Sequence, residues 1–296
     1  MLDIKKGIFY AFIANIFWGL AFIIPKMLKN NSSFEVTLGR YFIFGAISFL
    51  LLLKNFNQSK EIFISNYFRL FLYAFLGNVL YYLILVKSIK LTGGSVTTIL
   101  IGILPVSLTI WGNIRTKELN FGKLIFPLIL IFIGILSVNF EGFLFKKTTE
   151  YFQGIFLVIL CLLIWTWYGV SNSLFLKKIS LDTKIWTSLV GFISIISLIP
   201  FYFFQNSIYL DLNFILGSFI LGFLSSFIAN ECWNRAVEKL PVTLASQLIS
   251  LETFFGLSFI LIYDKRFPSI YELLGFTSII LGVFISLKLF SKNTSN

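Results

Sequence analysis

The chain contains no histidine. That excludes haem ligation by histidine and a histidine proton relay. There are two cysteines, Cys161 and Cys232, both in apolar runs and without a Cys-x-x-Cys pair. A disulfide framework or zinc site has no support, and no cofactor or metal is expected. Charge is scarce too: 12% of residues are Asp, Glu, Lys or Arg, against about 25% in soluble domains. No Walker sequence is present, so ATP does not drive the protein directly. No Ser-His-Asp, Glu-x-x-His or paired-Asp arrangement occurs, so the chain does not read as an enzyme. A net charge of +11 raises the question of nucleic acid. The Lys and Arg residues are spread over short loops, which fits a membrane topology and argues against a nucleic-acid partner.

What the chain has is apolar length. Its 296 residues are 57% apolar, with a mean hydropathy of +0.90. Apolar runs of about 20 residues recur from end to end, the length a helix needs to cross a bilayer. Each must be a helix, because lipid offers no partner for exposed backbone groups. The runs lack the alternation of a β-barrel. Ten spans are predicted, at 7–28, 34–53, 66–90, 95–115, 121–140, 152–176, 184–204, 213–235, 242–263 and 268–290. The first is too long for a cleavable signal peptide and lacks a small-residue cleavage site, so it is expected to remain as a span. The longest polar pieces are 54–65 and 141–151. With the N-terminus inside, the inner segments carry 15 Lys and Arg and the outer segments 8. That bias predicts cytoplasmic termini.

The chain also repeats itself. "GIFYAFIANIFWG" at 7–19 resembles "GIFLVILCLLIWT" at 154–166, pairing Trp18 with Trp165 at an offset of 147. "GILPVSLTIWGNI" at 102–114 lies opposite "SLETFFGLSFILI" at 250–262, and "FIGILSV" at 132–138 opposite "ILGVFIS" at 280–286, both at an offset of 148. Two halves follow, 1–147 and 148–296, each of five spans. Five is odd, so the second half should enter the membrane in the opposite direction. The expected fold is therefore all-α and integral to the membrane, with ten transmembrane helices in two inverted-topology five-helix repeats. Such repeats recur in secondary transporters, with substrate held near the midplane between them. A passive membrane subunit is the alternative.

These features together resemble the drug/metabolite transporter superfamily, of the EamA type. The matching residues are "FWG" at 17–19, "PK" at 25–26, Arg40, Pro105, Glu118 and "CWNRAVEKLPVTLASQLISLET" at 232–253. Many members carry Glu-Pro where this chain has Glu252-Thr253; the glutamate is kept and the proline is lost. The resemblance covers almost the whole chain. It implies a carrier of a small metabolite in the bacterial inner (cell) membrane. The arrangement around 233–253 leans towards members linked to amino-acid export. Carriage of a nucleotide derivative or a lipid-linked headgroup remains the alternative, and calls for more basic residues than Arg40 alone.

Glu252 is the one charge between Lys239 and Asp264. It should lie near the midplane, where a charged side chain costs several kcal/mol unless it faces a cavity or partner. It reads either as a proton-coupling or cation-recognising site, or as a lock between spans through Gln247 or a serine. Arg40, inside the second span, suits a substrate carboxylate. It could equally snorkel to the interface or pair with Glu35, and its place in the motif favours a structural or gating role. Asn15 and Trp18 share a face of the first span, as do Trp165, Tyr168 and Asn172 in the sixth. Asn78, Tyr81 and Tyr82 mark the third span; Asn230, Trp233 and Asn234 mark the eighth. Amides and aromatics converging on one cavity, with Gln247 of the ninth span among them, suit a ligand with an apolar part and a polar head; interface anchoring and helix cross-links are the other reading. Pro25 and Pro105 interrupt spans as hinges or kinks. Glu231 and Arg235 form an i, i+4 ion pair. Gly275, Ser278 and Gly282 make a small-residue ridge for close packing or a dimer face. The expected partners are a small-molecule substrate, the lipid bilayer and, as a candidate coupling ion, protons, with the protein monomeric or homodimeric.

Overall fold

The computed structural model describes residues 2–93, 97, 100–118, 120–138, 148–179, 181–202 and 209–293. Among them the chain forms ten helical rods and no strand. These are α1 Leu2–Met27, α2 Ser33–Lys54, α3 Phe56–Thr92, α4 Leu104–Thr116, α5 Phe121–Val138, α6 Thr149–Lys178, α7 Thr183–Tyr202, α8 Leu212–Lys239, α9 Val242–Tyr263 and α10 Ile270–Asn293. Eight are long and apolar enough to cross a membrane, and Phe121–Gly134 is a shorter apolar helix. Several helix starts use local chemistry. Ser32 and Glu35 close a capping box before α2, Thr148 caps α6, and Asp211 caps α8.

One polar piece departs from expectation. Residues 54–65 were expected as a connection, but the helix already begins at Phe56 and kinks at Asn66 (φ −138°, ψ 16°). Its apolar residues Phe56, Phe63 and Ile64 are exposed while Ser59 and Ile62 are buried, so a short amphipathic stretch leads into the span. Most of the other polar piece, 141–147, lies outside the described residues, as do 139–140 and 203–204 of the fifth and seventh spans and part of 95–103 in the fourth.

The helix partners follow a rule. α1 packs on α8 and α9, and α6 on α3 and α4. α2 packs on α8, and α7 on α3. α2 also meets α7, α4 meets α9, and α5 meets α10. Moving every helix number by five leaves this pattern unchanged. Local distortions repeat in the same way. α3 widens to a π-helix over Tyr73–Leu80 and α8 over Ile220–Ile228. In each, a side chain donates to the carbonyl five residues back: Asn78 Nδ2 to Tyr73 at 3.1 Å, and Ser226 Oγ to Leu221 at 2.9 Å. α9 breaks at Ile249, between Val242–Leu248 and Ser250–Tyr263, and a turn at Gly102–Ile103 precedes α4. Pro105 stands in the first turn of α4, where its missing N–H is harmless.

The small-residue ridge of α10 is spent on α5. A Cβ on Gly282 would stand 2.7 Å from Ile131, and one on Gly134 2.8 Å from the carbonyl of Gly275. The ridge brings two helices close together, as small residues do in lipid.

Candidate functional site

A cavity of about 30 Å³ lies in the middle of the bundle. Six helices wall it: Trp18 and Ala21 on α1, Arg40 and Tyr41 on α2, Asn78 and Tyr81 on α3, Trp165 and Tyr168 on α6, Asn230 on α8 and Glu252 on α9, with Gly77 and Leu85 completing α3's share. Both halves of the chain contribute. The space suits a water or two, whereas ligand sites usually span about 300–1,000 Å³. As it stands the cavity is too small for such a ligand.

The wide turn of α3 matters here. It sets Asn78 on the cavity wall, within 3.4 Å of Asn230 across from α8. π-turns often mark functional sites. Gly77 brings α3 against α6, since a Cβ there would stand 2.5 Å from the Tyr168 ring.

Arg40 is buried and does not snorkel. Its Nε donates to Ser226 Oγ at 2.7 Å and an Nη to the Ser225 carbonyl at 3.1 Å. Its guanidinium lies 4.0 Å from the centroid of the Tyr82 ring, a contact strengthened by desolvation. Glu35 is engaged elsewhere: it accepts from the backbone N–H of Ser32 at 2.5 Å and of Tyr209 at 2.6 Å. Arg40 is also among the residues that line the cavity.

Glu252 faces the same cavity. It sits in the first turn of the second piece of α9, where the helix dipole favours negative charge. No described residue forms a hydrogen bond or ion pair with its carboxylate. The site thus has one group of each sign within a ring of aromatics.

Other predicted residues stand behind the wall or apart from it. Trp233 packs against Trp18 at 5.2 Å and Trp165 at 6.4 Å, and Trp18 meets Trp165 edge-on at 5.5 Å. Tyr82 lies under Arg40. Asn15 donates to the Ala11 carbonyl at 2.6 Å. Neither amide atom of Gln247 has a hydrogen-bond partner among the described residues, though the residue is fully buried. Pro105 does not line the cavity. Asn172 and Asn234 belong to a polar chain joining α6, α7 and α8. Trp186 donates to Asn172 at 3.0 Å, Asn172 to Asn234 at 2.9 Å, and Asn234 to Thr187 at 2.8 Å. The chain ends at Glu231, which accepts from Thr187 at 3.0 Å, Thr183 at 3.1 Å and Arg235 at 2.6 Å.

Ala21, Tyr41, Gly77 and Leu85 were not foreseen from the sequence. Ala21 lies one turn beyond Trp18, and Leu85 one turn beyond Tyr81, so helical spacing carried that signal. Glu118 has a different task. Its oxygens accept from the backbone N–H groups of Val242 at 2.8 Å and Thr243 at 2.9 Å, and from the Thr243 hydroxyl. It caps the start of α9 from the end of α4.

With this geometry in view, the comparisons with known proteins are direct. Residues 5–140 and 152–288 each match the EamA-like transporter family. Inner membrane protein YtfF of Escherichia coli (strain K12) is 27% identical over 305 residues, covering 96% of this chain and 95% of the relative. A solved protein, described only as "Crystal structure of protein", superposes with a TM-score of 0.74 at 16% identity, over 96% of each chain. That last likeness bears on the fold alone.

Proposed function

This chain belongs to the EamA-like transporter family, and on that premise we propose that it is a secondary transporter of an amino acid or related small zwitterion. It works by alternating access across a bacterial inner membrane, with both termini in the cytoplasm. The observation that carries the reading is the pairing of Arg40 with the unbonded Glu252 in one aromatic-walled cavity. A guanidinium suits a carboxylate, and a carboxylate suits an ammonium. Trp18, Tyr81, Trp165 and Tyr168 offer apolar surface, and Asn78 and Asn230 offer amides. A single arginine among the lining residues makes a poor cradle for a nucleotide.

The moving parts in this proposal are two inverted halves, 1–147 and 148–296. Trp18 and Trp165 hold the same place in each half and touch each other, as equivalent residues do beside an axis relating two repeats. The helix partners also survive exchange of the halves. Rocking of such halves around a midplane site is how inverted-repeat carriers alternate access. On opening, Gln247 joins the site and gains the partner it lacks. Glu252 carries either the substrate ammonium or a coupling proton.

Counterflow in proteoliposomes tests the proposal. Vesicles are loaded with mixed amino acids and given a labelled mixture outside. Accumulation above protein-free vesicles is expected, and single competitors then name the substrate. No accumulation by folded, inserted protein would overturn the amino-acid assignment.

A further inference from the structure

A second, larger space opens at the end of the bundle that carries the chain termini. It is a cleft of about 820 Å³ between α3, α4 and α6. Three cations line it: Arg69 on α3, Arg115 in the last turn of α4 and Lys178 in the last turn of α6. Among the described residues no acid lines it. Among the described residues none forms an ion pair with any of the three. Arg69 lies over the Phe175 ring at 4.3 Å, which holds its guanidinium in place without neutralising it. The kink at Asn66 makes the following turn a fresh helix start, and that turn lines the same cleft. A helix start adds positive potential.

Helix-end cations and interfacial tryptophans are common on membrane proteins, and each alone would say nothing. Here they surround one cleft of ligand size with no counter-charge. From this juxtaposition we propose that the cleft binds a net-negative phosphate, supplied by the headgroup of an acidic phospholipid in the adjoining leaflet. Trp111 and Trp167 on its wall are 42% and 36% exposed. They give the acyl chains an apolar bank beside the charged floor. The proposal is independent of what the central cavity carries.

The tryptophans supply the test. Trp18, Trp165, Trp186 and Trp233 are at most 6% exposed, so lipid-borne quenchers reach Trp111 and Trp167. Full-length protein is reconstituted with brominated phosphatidylglycerol or brominated phosphatidylcholine. Quenching should begin at a lower fraction of the anionic lipid. At roughly 1 kcal/mol per interfacial cation, Lys178→Gln should weaken that preference about fivefold. Arg69→Gln with Arg115→Gln and Lys178→Gln should weaken it about a hundredfold. Lys178→Gln lies at a helix end and leaves the packing intact, so it decides the matter if the triple variant does not fold. Equal quenching by both lipids, or a preference that Lys178→Gln leaves untouched, overturns the proposal. A preference abolished by added inorganic phosphate overturns the lipid source and assigns the cleft to a soluble phosphate.

Discussion

Glu231 and Glu252 are both buried in the second half of the chain, 21 residues apart in sequence, and their surroundings are opposite. Glu231 accepts from two threonines and an arginine, and its network runs on through Asn234 and Asn172 to Trp186. Glu252 is bonded to no described residue and looks into a cavity shared with Arg40. A buried carboxylate is tolerated when its hydrogen bonds are satisfied, and Glu231 meets that condition within the protein. Glu252 has no such partner among the described residues, which leaves what enters the cavity to supply one. Burial alone therefore does not separate the two acids; the unmet bonding capacity does.

The sharpest way to break this comparison is Glu252→Gln. Glutamine has nearly the same volume, and no hydrogen bond to a described residue is lost. The thermal midpoint should stay within about 2 °C, while counterflow should fall by at least about tenfold. If Glu252 carries a proton, the residual activity should also be flat between about pH 5.5 and 8, where the parent varies. Full activity and an unchanged pH profile would sink the functional reading. Glu231→Ala should do the reverse. It strands two threonine hydroxyls and Arg235, and should destabilise the fold by about 1–3 kcal/mol, while the folded fraction keeps its substrate affinity. Denaturant melts and binding on the same preparations separate the two outcomes.

Arg40→Lys sharpens the comparison from the cationic side. An ammonium cannot bond Ser226 and Ser225, lie flat on Tyr82 and still offer a fork to the cavity. Apparent substrate affinity should drop about tenfold, or about 1.4 kcal/mol, with less effect on the maximal rate. Unchanged affinity would leave Arg40 as a tie between α2 and α8.

These sites were unevenly legible in the sequence. Apolar run length set the ten helices because it is a local property, and the Trp18–Trp165 offset exposed the two-part pattern because similar segments recur in the same order. Helical periodicity put Trp165, Tyr168 and Asn172 on one face, yet the structure separates them. Trp165 and Tyr168 reach the cavity, whereas Asn172 lies a turn further on and meets Trp186 and Asn234. A helical face spans more than one neighbour, and which neighbour arrives is decided by the partner helix. The π-turns that aim Asn78 and Ser226 leave no mark in the sequence that spacing rules detect. Glu118 was visible as a motif residue, but its bond to the start of α9 joins residues more than 120 positions apart.

The smallest effect concerns the two ends of the bundle. Lys26 and Asp264 close the end away from the termini at 2.5 and 2.7 Å, tying α1 to α9. The corresponding tie at the termini end, from Lys177 on α6 to Glu118 after α4, spans 3.9 Å, and the large cleft opens on that side. Both side chains of the first pair are about a third exposed, so solvent screens it and it contributes about 0–1 kcal/mol. That is too little to hold the fold, but under the proposed alternating access it is enough to bias two near-equal states. Asp264→Asn should raise labelling of a cysteine placed at Ala21 by a membrane-impermeant thiol reagent, by at most about fivefold, in a background lacking Cys161 and Cys232. The melting curve should not move. Equal labelling in both proteins would mean that packing around Trp18, Trp165 and Trp233, rather than this ion pair, closes that end.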